Sequence, residues 1–401
     1  MMTANIGSTR GAATRRDMAA VLACCVMPLA ALLALPAQAD SRTQAYRLYN
    51  RIAGTPPPAA VLDTMAADIA GGDPNSAALV AVQAPSFYNV VLKNMVMPWT
   101  NRAQTVFAPL NDYAATVVGM VRDDVPFNTL LSADILYVGP SSGGIPAPSA
   151  ANNNHYAALE SQAVDLKANL TQTKQSTVYG TPANAAAGVL TTNAAASAFF
   201  INGTNRAMFR FTMMNLLCHD MSTVMDITLP TDRIRQDVSR SPGGDSRTFL
   251  NNCVGCHSGM DPMAQAFAYY NYDTTKNQLV YTPGQVQAKY FINSNNFKFG
   301  FVTPDDSWTN RWRTGPNQAL GWNTSAGSGS GNGASSLGAE LANSDAFAQC
   351  QMQTVFQTVC FRAPGNAADY AQVSTMKATF KSNGYKLKQA FADAGVYCMG
   401  N

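Results

Sequence analysis

Histidine is nearly missing from this chain: three occur in 401 residues, His155, His219 and His257. With so few, no Ser-His or Cys-His pairing of the kind used in nucleophilic catalysis stands out. Charge is also sparse. Only 13% of residues are Asp, Glu, Lys or Arg, and the formal net charge is +3. Setting aside residues 1–39, which hold Arg10, Arg15, Arg16 and Asp17, leaves 24 basic against 23 acidic residues. So even a balance gives no electrostatic footprint for nucleic acid or for an anionic membrane surface. Beyond Leu35 no run is apolar enough to span a bilayer, so no transmembrane segment is expected in the mature chain. No internal repeat is present.

What remains is a chain able to fold around a large core, with 47% hydrophobic residues. The N-terminus has a basic start, an apolar run from Met18 to Leu35, and Ala37-Gln38-Ala39 as a small-x-small cleavage site. These features predict a signal peptide over 1–39, cleaved after Ala39, and export to the periplasm or cell surface. Of eight cysteines, six then remain: Cys218, Cys253, Cys256, Cys350, Cys360 and Cys398. In an oxidising compartment Cys218, Cys350, Cys360 and Cys398 can form two disulfides in any of three pairings.

The periodicity predicts a mainly α protein in three parts. Residues 40–230 read as a helical N-terminal domain, with helices over Pro56–Ala70, Ser76–Met97, Ala103–Val121 and Ala186–Met225. In the last of these, Phe199, Phe200, Met208, Phe211, Met214 and Leu217 form the apolar stripe. The polar stretch Thr231–Asp245, with Arg233, Arg235 and Arg240, predicts a boundary. Residues 231–335 follow as a haem c domain, with a strand or two in Asn277–Phe301 and a flexible Gly/Ser tract over Ser325–Ser336. Residues 336–401 close the chain with helices over Ser344–Cys360 and Tyr370–Cys398, packing with the haem domain.

Cys253-Val254-Gly255-Cys256-His257 carries the chemistry. Two thiols three residues apart on a turn can each bond a vinyl group of a single haem, and the next residue offers its imidazole to the iron. The expectation is one covalent haem c per chain, with Cys253 and Cys256 as thioether anchors and His257 as proximal ligand. Zinc would need two further ligands nearby, and none is close in sequence. Ser246–Asn252 is predicted to be the helix that delivers Cys253, and Asp261-Pro262 to be the N-cap and first-turn proline of a helix through Tyr270. The distal position has several candidates: His219 before the boundary, Met352 on a later helix, and Met260 beside the motif, with Met263 and His155 behind them. An open site is the remaining option.

With these residues in view, the chain resembles the planctomycete-type cytochrome c proteins built from domains of unknown function 1592, 1588 and 1585. The first is similar at Pro126-Phe127-Asn128-Thr129-Leu130-Leu131-Ser132-Ala133-Asp134, at Ala187–Thr191, and at Asn205-Arg206 with Asn215-Leu216-Leu217. The haem domain is similar from Arg233-Ile234-Arg235 to Cys253–Pro262, and the last domain at Phe347–Cys350 and Ser382–Tyr385. The resemblance implies a helical haem protein of the cell envelope and leaves the reaction open. The haem motif itself predicts electron transfer with redox partner proteins. Its rival is a haem-dependent enzyme acting on peroxide or oxygen at an open distal iron site.

Overall fold

The computed structural model describes residues 39–325 and 328–400. The expected signal peptide up to Gln38 therefore lies outside the described residues, as do Ala326 and Gly327 of the Gly/Ser tract. Sixteen α-helices and three two-stranded antiparallel sheets make up the described chain, a mainly α fold. None of these helices is long and apolar enough to cross a membrane.

The helices start where short polar side chains can hold the free amides of the first turn. Asp40 accepts from the Thr43 amide at 2.6 Å to open Ser41–Ala53, and Gly54, at φ 71°, closes it. Asn111 caps Asp112–Arg122, Ser344 caps Asp345–Cys360 and Asn366 caps Ala367–Ser382 in the same way. Asp112–Arg122 is buried on nearly every face, with Lys93–Val96, Leu166–Asn169, Asn193–Phe199 and Leu387–Cys398 packed against it.

Residues of all three expected segments join one hydrophobic core that runs from Ala45 through Phe209 and Met263 to Ala394, and Ala39–Asn401 forms one compact unit. The first and last helices meet directly. Gly395 of Leu387–Cys398 lies so close to Ser41–Ala53 that a Cβ there would stand 2.7 Å from Leu48 Cδ1 and from Ile52 Cδ1. Two disulfides, Cys218–Cys350 and Cys360–Cys398, bind the end of the first half to Asp345–Cys360, and that helix to the C-terminal one. Such bonds belong to a chain folded under oxidising conditions.

Several local expectations are corrected. The helix expected over Ser76–Met97 is broken: an α-helix at Pro74–Val82 is followed by a π-turn at Phe87–Leu92 and a short α-turn at Lys93–Val96. The one expected over Ala103–Val121 begins only at Asp112, because Ala108-Pro109 and the Asn111 cap delay it. Ala186–Met225 is not continuous. Helices Asn193–Phe199 and Arg206–Leu216 are separated at Gly203, and Asn205, in the left-handed region at φ 58°, turns the chain into the second. Met213, not Met214, takes the core position there. The Gly/Ser tract contributes a strand, Ser330–Asn332, and the start of a helix at Gly333. Of Asn277–Phe301, Gln278–Tyr281 is a strand, and its partner is Tyr270–Asp273, which begins at the last residue of the helix expected after Asp261.

In the chain-entropy estimate the Cys218–Cys350 bond, spanning 132 residues, stabilises by about 5 kcal/mol and Cys360–Cys398, spanning 38, by about 4 kcal/mol. The double variant C218S/C350S is accordingly expected to melt below C360S/C398S, and both below the unmodified protein, in thermal unfolding followed by circular dichroism.

Candidate functional site

Ser246–Asn252 forms as expected, opened by the Asp245 carboxylate accepting from the Arg247 amide at 2.9 Å, and it ends at Cys253. A second helix, Val254–Ala264, starts immediately. One turn of chain separates Cys253 from Cys256 and His257, and all three are partly exposed, while Val254, Gly255 and Ser258 are buried.

Asp261 and Pro262 lie inside this helix and do not begin a new one, which corrects the capping role expected for Asp261. The physical reason is the charge Asp261 meets. Its side chain is fully buried, one turn beyond His257, and His257 Nδ1 stands 3.1 Å from Asp261 Oδ1. Arg206 binds the same carboxylate through Nε at 2.7 Å and Nη2 at 3.0 Å, and grips Asp237 through Nη1 at 2.7 Å and Nη2 at 2.9 Å. Arg235, 2% exposed, adds its amide at 3.5 Å from Asp261 Oδ2 and stacks its guanidinium 4.8 Å from the Tyr290 ring centroid. Burial alone would raise the Asp261 pKa. Arg206, then Arg235 and His257, outweigh it and hold the carboxyl well below its ordinary range. The Thr231–Asp245 stretch is therefore no solvated boundary: Ile234 and Gln236 exchange backbone hydrogen bonds with Phe301 and Phe297, and Arg240 stacks on Phe297 at 4.4 Å.

With Nδ1 occupied by Asp261, the imidazole of His257 keeps Nε2 for a ligand. Cys253 and Cys256 are unpaired, while the other four described cysteines are in disulfides. Burial, followed by the Asp220 charge, pushes the Cys256 thiol above its ordinary pKa, the opposite of what an activated redox dithiol needs. Among the described residues no group of three or more His, Cys, Asp or Glu side chains is arranged to hold a metal ion directly. Apolar side chains stand exposed around the thiols: Leu250, one turn before Cys253, is 56% exposed, and Met225 and Ile227 are 47% and 71% exposed. Both lie against Gly255, and the Asp226 amide donates to the Gly255 carbonyl at 3.1 Å. Two thiols, a free Nε2 and an apolar rim fit a large flat hydrophobic group with a metal at its centre.

The remaining predicted residues are dispersed. His219 hydrogen-bonds Thr223 at 3.3 Å and lines a hollow with Asn317, Asp345, Gln349 and Lys377 that includes no residue of the motif. Met352 is fully buried in the core. Met260, 6% exposed, is on the same helix one turn past His257, and so lies beneath that residue instead of across from it. His155 is fully buried and both its ring nitrogens are used, by the Gly139 amide at 3.0 Å and the Pro146 carbonyl at 2.7 Å. Reading by spacing passed over three residues of the site: Arg206, Asp237 and Met225. Asn205-Arg206 stood among the residues of the family resemblance, but nothing in the sequence linked it to Asp261.

Family models, curated proteins and solved structures were compared with this chain, and none matches.

Two substitutions test the local architecture. A Cβ at Gly259 would lie 2.1 Å from Nε1 of the fully buried Trp312, so Gly259→Ala is expected to cost about 2–3 kcal/mol in urea unfolding. Asp261→Asn removes a buried anion between two guanidinium groups and is expected to cost about 3 kcal/mol. Because the folded pKa of Asp261 is depressed, its contribution is present above the ordinary value of 3.8 and lost as pH falls below it. Unfolding curves of the two proteins are thus expected to differ at pH 7 and to draw together progressively as pH falls below 3.8.

Proposed function

We propose that this chain is an exported monohaem c-type cytochrome, similar to the planctomycete-type family named above, that passes single electrons between partner proteins in the periplasm or at the cell surface. The observation that carries the reading is that the only unpaired thiols of the described chain, Cys253 and Cys256, lie within one turn of an imidazole, His257, whose Nδ1 is held by Asp261 so that Nε2 is left for a ligand. Cys253 and Cys256 would hold the haem covalently and His257 would bind its iron. Haem, when bound, supplies one-electron cycling of the iron.

The protein's own part is orientation and field. Asp261 fixes which nitrogen of His257 faces outward and makes the imidazole a stronger donor, while Arg206 and Arg235 temper that carboxylate. Leu250, Met225 and Ile227 stand exposed near the motif and would supply apolar contact to the haem. Met225 is the methionine that combines exposure with contact to the motif, which makes it a further candidate for the distal side beside His219, Met352 and Met260.

A second reading, a haem enzyme acting on peroxide or oxygen, is favoured by one observation: the proximal histidine is paired with a carboxylate, which favours the oxidised iron such chemistry passes through. Partners and substrates are separated by spectrum. A low-spin haem indifferent to carbon monoxide and cyanide supports the carrier, and a high-spin haem that binds them supports the enzyme.

The attachment is tested by expressing the full precursor in a host with a c-type maturation system and weighing the product under denaturing conditions. The expected mass is that of a chain starting at Asp40 plus one haem, with no thiol left to alkylate. Cys253→Ala/Cys256→Ala is expected to lose the haem. A product of unaltered mass with both thiols open to alkylation would overturn the reading.

A further inference from the structure

Arg206 and Asp237, which form the ion pairs around Asp261, also line a hollow of about 550 Å³. Arg102, Asn202, Thr204, Arg206, Lys289 and Asn293 line it, and Ile292 gives it an apolar wall. Its charges do not balance. Asp237, the one carboxylate in the lining, is held by both outer nitrogens of Arg206. Arg102 donates Nε to the Ala198 carbonyl at 2.5 Å, and Lys289 donates Nζ to the Phe200 carbonyl at 2.6 Å. Neither forms an ion pair with any described residue. Lys289 is only 9% exposed, and burial without a counter-charge brings its ammonium down to about 7. An uncompensated buried cation is costly, and its remaining protons suit an anionic guest.

We propose that this hollow binds a small oxyanion, and that its occupancy is felt at His257 through Arg206 and Asp261. Lys289 and Arg102 supply the charge, and the amides of Asn202 and Asn293 and the hydroxyl of Thr204 supply neutral hydrogen bonds. The Ile292 wall favours an organic carboxylate over inorganic phosphate. Arg206 is shared: it lines the hollow, and its guanidinium binds both Asp261 and the lining carboxylate Asp237. A bound anion competes for that charge, leaving the Asp261 carboxylate more available to His257 and raising the ligand's donor strength.

Calorimetric titration of the full mature chain with succinate and, separately, with inorganic phosphate tests the site. One-to-one binding is expected, tighter for succinate, and weakened at least tenfold in Lys289→Met. Arg102→Gln, at the exposed rim, serves where the buried substitution impairs folding, and the same weakening is expected. Absence of heat with both anions, or unchanged affinity in both variants, would overturn the site. The coupling rests on the haem reading. Saturating succinate is expected to lower the reduction potential of the haem-loaded chain, and an unchanged potential, or a chain without haem, overturns the coupling alone, since the calorimetry needs no haem.

Discussion

A single buried carboxylate organises this molecule. Asp261 sits where no water reaches it, and an isolated anion there would be too costly to keep. It is kept because three parts of the chain converge on it: Arg206 from the first half, the Arg235 amide from the polar stretch after it, and His257 from its own helix. Each convergence fixes something else. Arg206 carries Asp237 with it, Arg235 brings its guanidinium onto Tyr290, and His257 is turned so that Nε2 faces outward.

The first half of the chain has a structural part in this arrangement. Arg206 opens the helix Arg206–Leu216, and Cys218 follows the end of that helix. The Cys218–Cys350 bond ties that end to Asp345–Cys360, whose own end is tied to the last helix by Cys360–Cys398. The last helix in turn lies on the first, at Gly395 against Leu48 and Ile52. The guanidinium that neutralises Asp261 is thus delivered by a covalently braced body, and small displacements there would be felt as misaligned hydrogen bonds in a low-dielectric setting.

The division between what the residues announced and what they did not follows from the range of the interactions. The helix Ser246–Asn252 and the Ser344 cap depend on neighbours within a turn, and the sequence pattern identifies both. Cys253, Cys256 and His257 are likewise local, and the structure leaves all three partly exposed within one turn of chain. Asp261-Pro262 misled for the converse reason. Asp before Pro is a good local start to a helix, but a partner 55 residues away, Arg206, wins over the local preference. The same holds for Arg235, polar in sequence and interior in the fold, and for the choice among three disulfide pairings, which only tertiary contact makes. Met225 was missed because nothing in spacing tells that Met225–Ile227 runs along Gly255.

The environment of Asp261 also bears on what a metal at His257 could do. A carboxylate alone behind an imidazole pushes electron density toward the metal and favours its oxidised state; a carboxylate gripped by a guanidinium pushes less. Here the grip is bidentate, and Arg206 divides it between Asp261 and Asp237, so the donor strength of His257 depends on how that one guanidinium shares its five protons. Any influence that draws Arg206 toward Asp237 or toward the hollow releases Asp261 to His257, and any that draws it back does the reverse. Control of a metal at His257 would thus rest with residues that never touch it, while Leu250, Met225 and Ile227 stand exposed near the motif.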